Sequence, residues 1–172
     1  MTSAADGPRR ELFLRDGLEA ADVVRAHREA LRVLRESIES AQVDAYSDIA
    51  WPREVAPAYE QVLSMAAEVA QGVRPAKGDP GIGIDVDVRD DTQFDVLLAL
   101  APYTIHAEAW RQSREIFSAG DTGTALWIAV TSEQEARLMS RLHALGVPQA
   151  PFTTEPRRGR SLFARSTRRQ IA

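Results

Sequence analysis

The stretch GIGIDVDVRDDTQFDVLLALAPYTIHAEAWRQSREIFSAGDTGTALWIAVTSEQEARLMSRLHALG, residues 81–146, carries two hydrophobic periods in succession between clear start and stop signals. In its first part Ile82, Ile84, Val86 and Val88 alternate with Gly83, Asp85 and Asp87. A period of two puts the aliphatic side chains on one face of a strand and both carboxylates on the other. After the polar Arg89-Asp90-Asp91-Thr92-Gln93, the run 94–101 is almost continuously apolar, which predicts a second strand, covered on both faces. Pro102 closes it. Thr104 is placed to cap a helix in which Ile105, Ala109, Gln112 and Ile116 form one row and Trp110 and Phe117 the next, ended by Gly120, Asp121 and Gly123. A third apolar run, 124–130, leads into Ser132 and Glu135, which have the spacing of a capping box. Leu138, Leu142 and Leu145 form the buried row of the helix that follows, and Gly146 with Pro148 stops it. The strand-helix-strand part is expected to make a right-handed parallel crossover.

Working outward, Val24, Leu31 and Ile38 recur every seven residues between about 17 and 41, with Ala20, His27, Leu34 and Ala41 on the adjacent row, the pattern of a long amphipathic helix. After a break at 44–51, Val55, Tyr59, Val62, Ala66, Val69 and Val73 step by four and three, predicting a second helix that ends at Gly72 and Pro75. The expected fold class is α/β (α+β): two N-terminal helices, then a small mixed three-stranded sheet with two helices, in the order ααββαβα. The expected organisation is a flexible N-terminus over 1–16 and one domain over 17–148, comprising a helical hairpin at 17–73 and the ββαβα part at 81–146. An extended connector and basic tail follow over 149–172. A two-helix hairpin cannot bury its apolar stripe alone. The sheet or a second copy must cover it, so a homodimer is expected through these seams.

With 172 residues, 44% of them hydrophobic and 27% charged, the chain fits one domain with a real core. The absence of cysteine excludes disulfides, thiolate metal sites and cysteine nucleophiles. Leu12-Phe13-Leu14 lies among Arg9, Arg10, Glu11, Arg15 and Asp16, too short and too charged for a secretory signal, and no apolar run approaches a membrane span; a cytoplasmic protein is expected. The cations are twenty Arg and one Lys, Lys77, a composition typical of GC-rich bacterial or phage genomes. The net charge of −4 hides a division: residues 1–156 hold all 25 acidic and 15 of the 21 basic residues, net −10, whereas 157–172 hold six Arg and no acid.

Among residues that carry chemistry, Asp85 and Asp87 are the candidate carboxylates for a hard cation, as in a small metal-dependent enzyme or ligand binder. A strand ending in Asp85-x-Asp87, with Thr131-Ser132 closing a later strand, resembles the first two motifs of haloacid dehalogenase-type phosphotransferases. That family continues with a Lys and further acidic ligands. Here no Lys follows Lys77, and the acids after Ser132 are Glu133, Glu135 and Glu155. His27, His106 and His143 are dispersed without metal-ligand spacing; His106 lies close to Thr104 and Glu108. The serines lack a nucleophile-elbow context and the glycines form no phosphate loop. With no convergent catalytic set and no cofactor motif, the sequence points to a non-enzymatic protein-interaction module of the immunity, antitoxin or adaptor kind. Its partner-binding residues are expected in the tail: Arg157, Arg158, Arg160, Leu162, Phe163, Arg165, Arg168 and Arg169. The same arginines suit phosphate neutralisation, so nucleic acid is the other partner class the tail implies.

Overall fold

The computed structural model describes residues 7–48, 50–70, 81–147 and 150–156. In β1 (Arg10–Leu14) the alternate residues Leu12 and Leu14 turn into the core. There follow α1 (Ala20–Leu34), β2 (Ser40–Val43), α2 (Ala56–Ala70), β3 (Ile84–Val86), α3 (Asp91–Leu100), β4 (His106–Arg111), β5 (Arg114–Gly120), β6 (Ala125–Val130), α4 (Ser132–Ala144) and β7 (Phe152–Thr153). The strands make one seven-stranded sheet in the order β3-β2-β4-β5-β6-β1-β7. Every neighbouring pair is antiparallel. Both edges are short strands, of three and two residues, which limits pairing with other chains.

The helices form a second layer, α4 against α1, α1 against α3, and α3 against α2. The sheet positions beneath them are small in the middle: Ala41 pairs with Ala109, and Ala107 with Ala119. That leaves room for Leu31 and Leu34 of α1, Leu97 of α3 and Leu138 of α4, which join Phe117 and Ile128 in one core. Between Ala109 and Trp110 the β4–β5 ladder shifts register, so that Ile116 and Phe117, neighbours in sequence, are both buried.

This architecture overturns the expected ααββαβα order and its mixed three-stranded sheet. With every pair antiparallel, there is no parallel crossover among the described residues. The run 94–101 is helical, as α3: Asp90 caps it by accepting the Gln93 N–H at 3.0 Å, and Phe94 N–H reaches back to Asp90 O. An unbroken apolar run suits a buried helix as well as a buried strand, and Leu and Ala favour the helix. The helix expected over 104–117 is the β4–β5 hairpin, turned at Gln112 and Ser113 with φ of 48° and 61°. The long first helix stops at Leu34, and β2 occupies 40–43. The N-terminal segment and the C-terminal connector, both expected outside the domain, supply β1 and β7.

Four elements stand where they were read: α2, the strand at 84–86, the strand at 125–130 and α4. Two departures remain: Ile82 precedes its strand and is exposed, and Leu145, expected in the buried row, is the exposed C-cap of α4. The expected end of α2 at Gly72 and Pro75 lies outside the described residues. The α4 capping box is formed by Thr131 and Gln134, one position before the expected Ser132 and Glu135. The helical seams are covered in part within the chain: Leu31, Val62 and Ile38 are buried, whereas Val24, Tyr59 and Ala66 are half-buried and Val73 lies outside the described residues.

Candidate functional site

The pleat decides which side chains share the face opposite the helices. Following the register from strand to strand, Asp85 pairs with Gln42, Gln42 with Glu108, Glu108 with Ser118, Ser118 with Trp127, Trp127 with Phe13 and Phe13 with Thr153. One residue from each of the seven strands thus stands in a line across the sheet. Among the described residues no helix packs on this face, and all seven side chains of the line keep some exposure. One half of the line is polar and acidic; the other holds two aromatic rings. Trp110, paired with Glu115, adds a third ring on the same face.

At the polar end His106 is held between carboxylates. Its Nε2 lies 2.6 Å from Glu108 Oε1, and its Nδ1 lies 3.6 Å from Asp44 Oδ2. The hydrogen bond to Glu108 raises the imidazole above its ordinary 6.5; partial burial opposes this, and the charges of Glu108, Asp44 and Glu115 reinforce it. Burial raises the Glu115 carboxyl, against the Ser118 hydrogen bond, with the neighbouring Glu108 charge acting in the same direction as burial. Asp44 is buried and positions the adjoining loops, accepting the Gly83 N–H at 2.6 Å and the Tyr46 hydroxyl at 3.3 Å. Ser118 is committed to Glu115 and His106 to Glu108, so the arrangement is no nucleophile-base pair.

Asp85 and Asp87 are both exposed and make different contacts. Asp85 Oδ1 accepts the Gln42 side-chain amide at 2.8 Å on the open face. Asp87 accepts the Arg89 N–H at 2.9 Å in the turn leading to α3, so its carboxylate serves that turn. Among the described residues no group of three or more His, Cys, Asp or Glu is disposed to hold a metal ion. The tail residues Arg157, Arg158, Arg160, Leu162, Phe163, Arg165, Arg168 and Arg169 lie outside the described residues.

His106 and Glu108 are neighbours as expected, but as alternate residues of a strand. His27 is buried in α1, and His143 is exposed on α4. Trp51 is structural, stacked on Tyr59 with centroids 5.3 Å apart and donating to Tyr46 O. Phe13, Asp44, Glu115 and Ser118 escaped the sequence reading. The available signal was alternation, Ala107 and Ala109 against Glu108 and Trp110, masked by an equally good helical spacing.

Comparison of the chain with protein-family models, with curated proteins and with solved structures returns no match. Among the described residues no helix is long and apolar enough to cross a membrane.

Proposed function

We propose that this protein is a non-enzymatic interaction module that binds a protein partner on the open face of its sheet. The observation that carries the reading is the line Asp85–Gln42–Glu108–Ser118–Trp127–Phe13–Thr153, which crosses all seven strands without a covering element among the described residues. Its chemistry names the complement. Carboxylates at Asp85, Glu108 and Glu115 attract cations, and the rings of Phe13, Trp110 and Trp127 accept both guanidinium groups and aliphatic side chains. A basic segment with apolar anchors fits such a surface. The arginine-rich segment 157–172 offers the partner a second contact of opposite charge.

The test uses the full chain with a photo-crosslinking residue in place of Ser118, in its native cell, beside the pair of variants Trp127→Ser and Glu108→Gln. A crosslinked protein whose capture both variants abolish supports the reading. Capture that survives both variants, or crosslinks confined to the helical side, sinks it.

A further inference from the structure

The carboxylates of the open face are held in different ways. Asp85 is tied to the Gln42 amide at 2.8 Å, and Glu115 takes the Ser118 hydrogen bond. Glu108, at the middle of the line, is held by a group that can lose its charge: His106, whose Nε2 lies 2.6 Å from Glu108 Oε1. Half of the His106 side chain and a quarter of the Glu108 side chain remain exposed, so both meet whatever lies on the face.

The charged groups that face the imidazole are all acidic: Glu108 on β4 itself, Asp44 beyond β2 at 3.6 Å, and Glu115 on β5. Gly120, its cross-strand neighbour on β5, contributes no side chain. Arg15, two residues after Phe13 and so on the same face, lies at the distant β7 edge and donates to Phe152 O at 3.3 Å. His27 is buried in α1 and His143 stands on α4 in the helical layer. A protonated His106 therefore cancels one negative charge where carboxylates gather, and a neutral His106 leaves that charge standing.

The surroundings of Glu108 suit a guanidinium. Trp110 follows it by two residues on the same side of β4, about 7 Å along the strand. Trp127 lies beyond Ser118, two strands across, at about 10 Å. A planar cation with a fork of N–H donors can bond the carboxylate while resting on a ring, which a compact ammonium does less well.

We propose that Glu108 anchors a guanidinium of the partner and that His106 competes for the same carboxylate, so that the open face takes its cationic partner by giving up a proton. The proposal rests on the open face binding a basic segment, and it gives that binding a direction. Affinity rises with pH through the His106 midpoint and falls below it. Reciprocally, the bound partner lowers that midpoint by the logarithm of the factor by which the proton weakens binding.

The probe is a capped peptide alternating arginine with leucine, titrated calorimetrically into the full chain between about pH 6 and 9 in two buffers of different ionisation heat. A control peptide carries citrulline, neutral and of similar shape, in place of arginine. The arginine peptide should bind about five- to tenfold more tightly at the upper end, with a proton released at the lower end. Saturation with it should lower the His106 NMR midpoint by roughly 0.7 to 1 unit. The citrulline peptide should show neither effect, and His106→Gln should flatten the profile of the arginine peptide. The inference is overturned by a flat profile in the wild type, by a profile that survives His106→Gln, or by a midpoint that saturating peptide leaves unmoved. The last measurement uses the wild-type chain and so stands even where the variant fails to fold. Failure of the arginine peptide to bind at any pH overturns the basic-segment reading together with this inference, whereas binding with a flat profile overturns the inference alone.

Discussion

His106 and Glu108 stand two residues apart on β4, on one face of the sheet, with Nε2 2.6 Å from Oε1. The charges facing His106 are Glu108 on its own strand, Asp44 beyond β2 and Glu115 on β5, all acidic. Because the folded pKa lies above the ordinary 6.5, the contribution to stability is complete below 6.5 and is lost as pH rises through the folded value. NMR titration should give His106 a midpoint above 6.5, and Glu108→Gln should lower it, since the largest cause of the upward shift is removed. A midpoint unmoved by that change would break the pair as the cause.

His27 has the opposite sign. It is 0% exposed in α1, Nδ1 donates to Val23 O at 2.7 Å, and Nε2 has no partner among the described residues. Burial pushes the ring down to about 4, so the folded chain refuses a proton that the unfolded chain accepts below 6.5. Stability from this residue therefore falls between pH 6.5 and 4, by about 3 kcal/mol in all. His27→Leu leaves the Val23 carbonyl its helical partner. Denaturant titrations should show the variant gaining on the wild type by roughly that amount as pH drops across the window. Parallel pH profiles would refute the assignment.

Glu29 predicts an asymmetry. Its carboxylate is 3% exposed and accepts both Arg32, one turn along α1, and Arg141 of α4, whose own side chains remain about half exposed. Removing the acid frees two arginines into water, a cost of about 1 kcal/mol, whereas removing both arginines strands a buried charge at about 3 kcal/mol or more. Glu29→Gln should therefore unfold at higher denaturant than the double variant Arg32→Ala with Arg141→Ala. The reverse order would show that the pair does not govern the α1–α4 contact.

Gly123 closes the turn between β5 and β6 with φ of +92°, and a Cβ there would sit 2.2 Å from the carbonyl oxygen of Pro102. The obstacle is backbone, which cannot swing aside. Gly123→Ala should cost about 3 kcal/mol, combining a positive φ with a steric clash. A thermal midpoint within a degree of wild type would show that the turn relaxes.

What the sequence disclosed follows from where information is local. The helix at 132–144 and the strand at 125–130 carry a cap, a stop and an unambiguous period within a few residues. The segment 105–117 satisfies two periods at once, because Ile105, Ala109, Gln112 and Ile116 suit a helix while Ala107 and Ala109 against Glu108 and Trp110 suit a strand. Its turn, Gln112-Ser113, lacks the Asn or Gly that would have decided between them. β1 presents three apolar residues among charges, and only pairing with β6 and β7 makes it a strand. The open face was illegible for the same reason: its line of residues exists only once seven strands are in register, although the His106–Glu108 proximity was readable.

The arginine-rich segment supports the last prediction. The described core closes without it, from Leu12 to Phe152. Deleting 157–172 should therefore leave the thermal midpoint within about a degree of wild type, since the core formed by the described residues keeps its own contacts. Partner binding should weaken, and more so at low salt, because six guanidinium charges act through a medium whose screening length is roughly 10 Å at 0.1 M salt. Leu162→Ala with Phe163→Ala separates the two partner classes. Docking on a protein is lost with that pair, whereas phosphate neutralisation by Arg157, Arg158, Arg160, Arg165, Arg168 and Arg169 is indifferent to it and scales with salt alone. A fall of several degrees on deletion would instead make the segment part of the packed fold and end its assignment as a partner-binding arm.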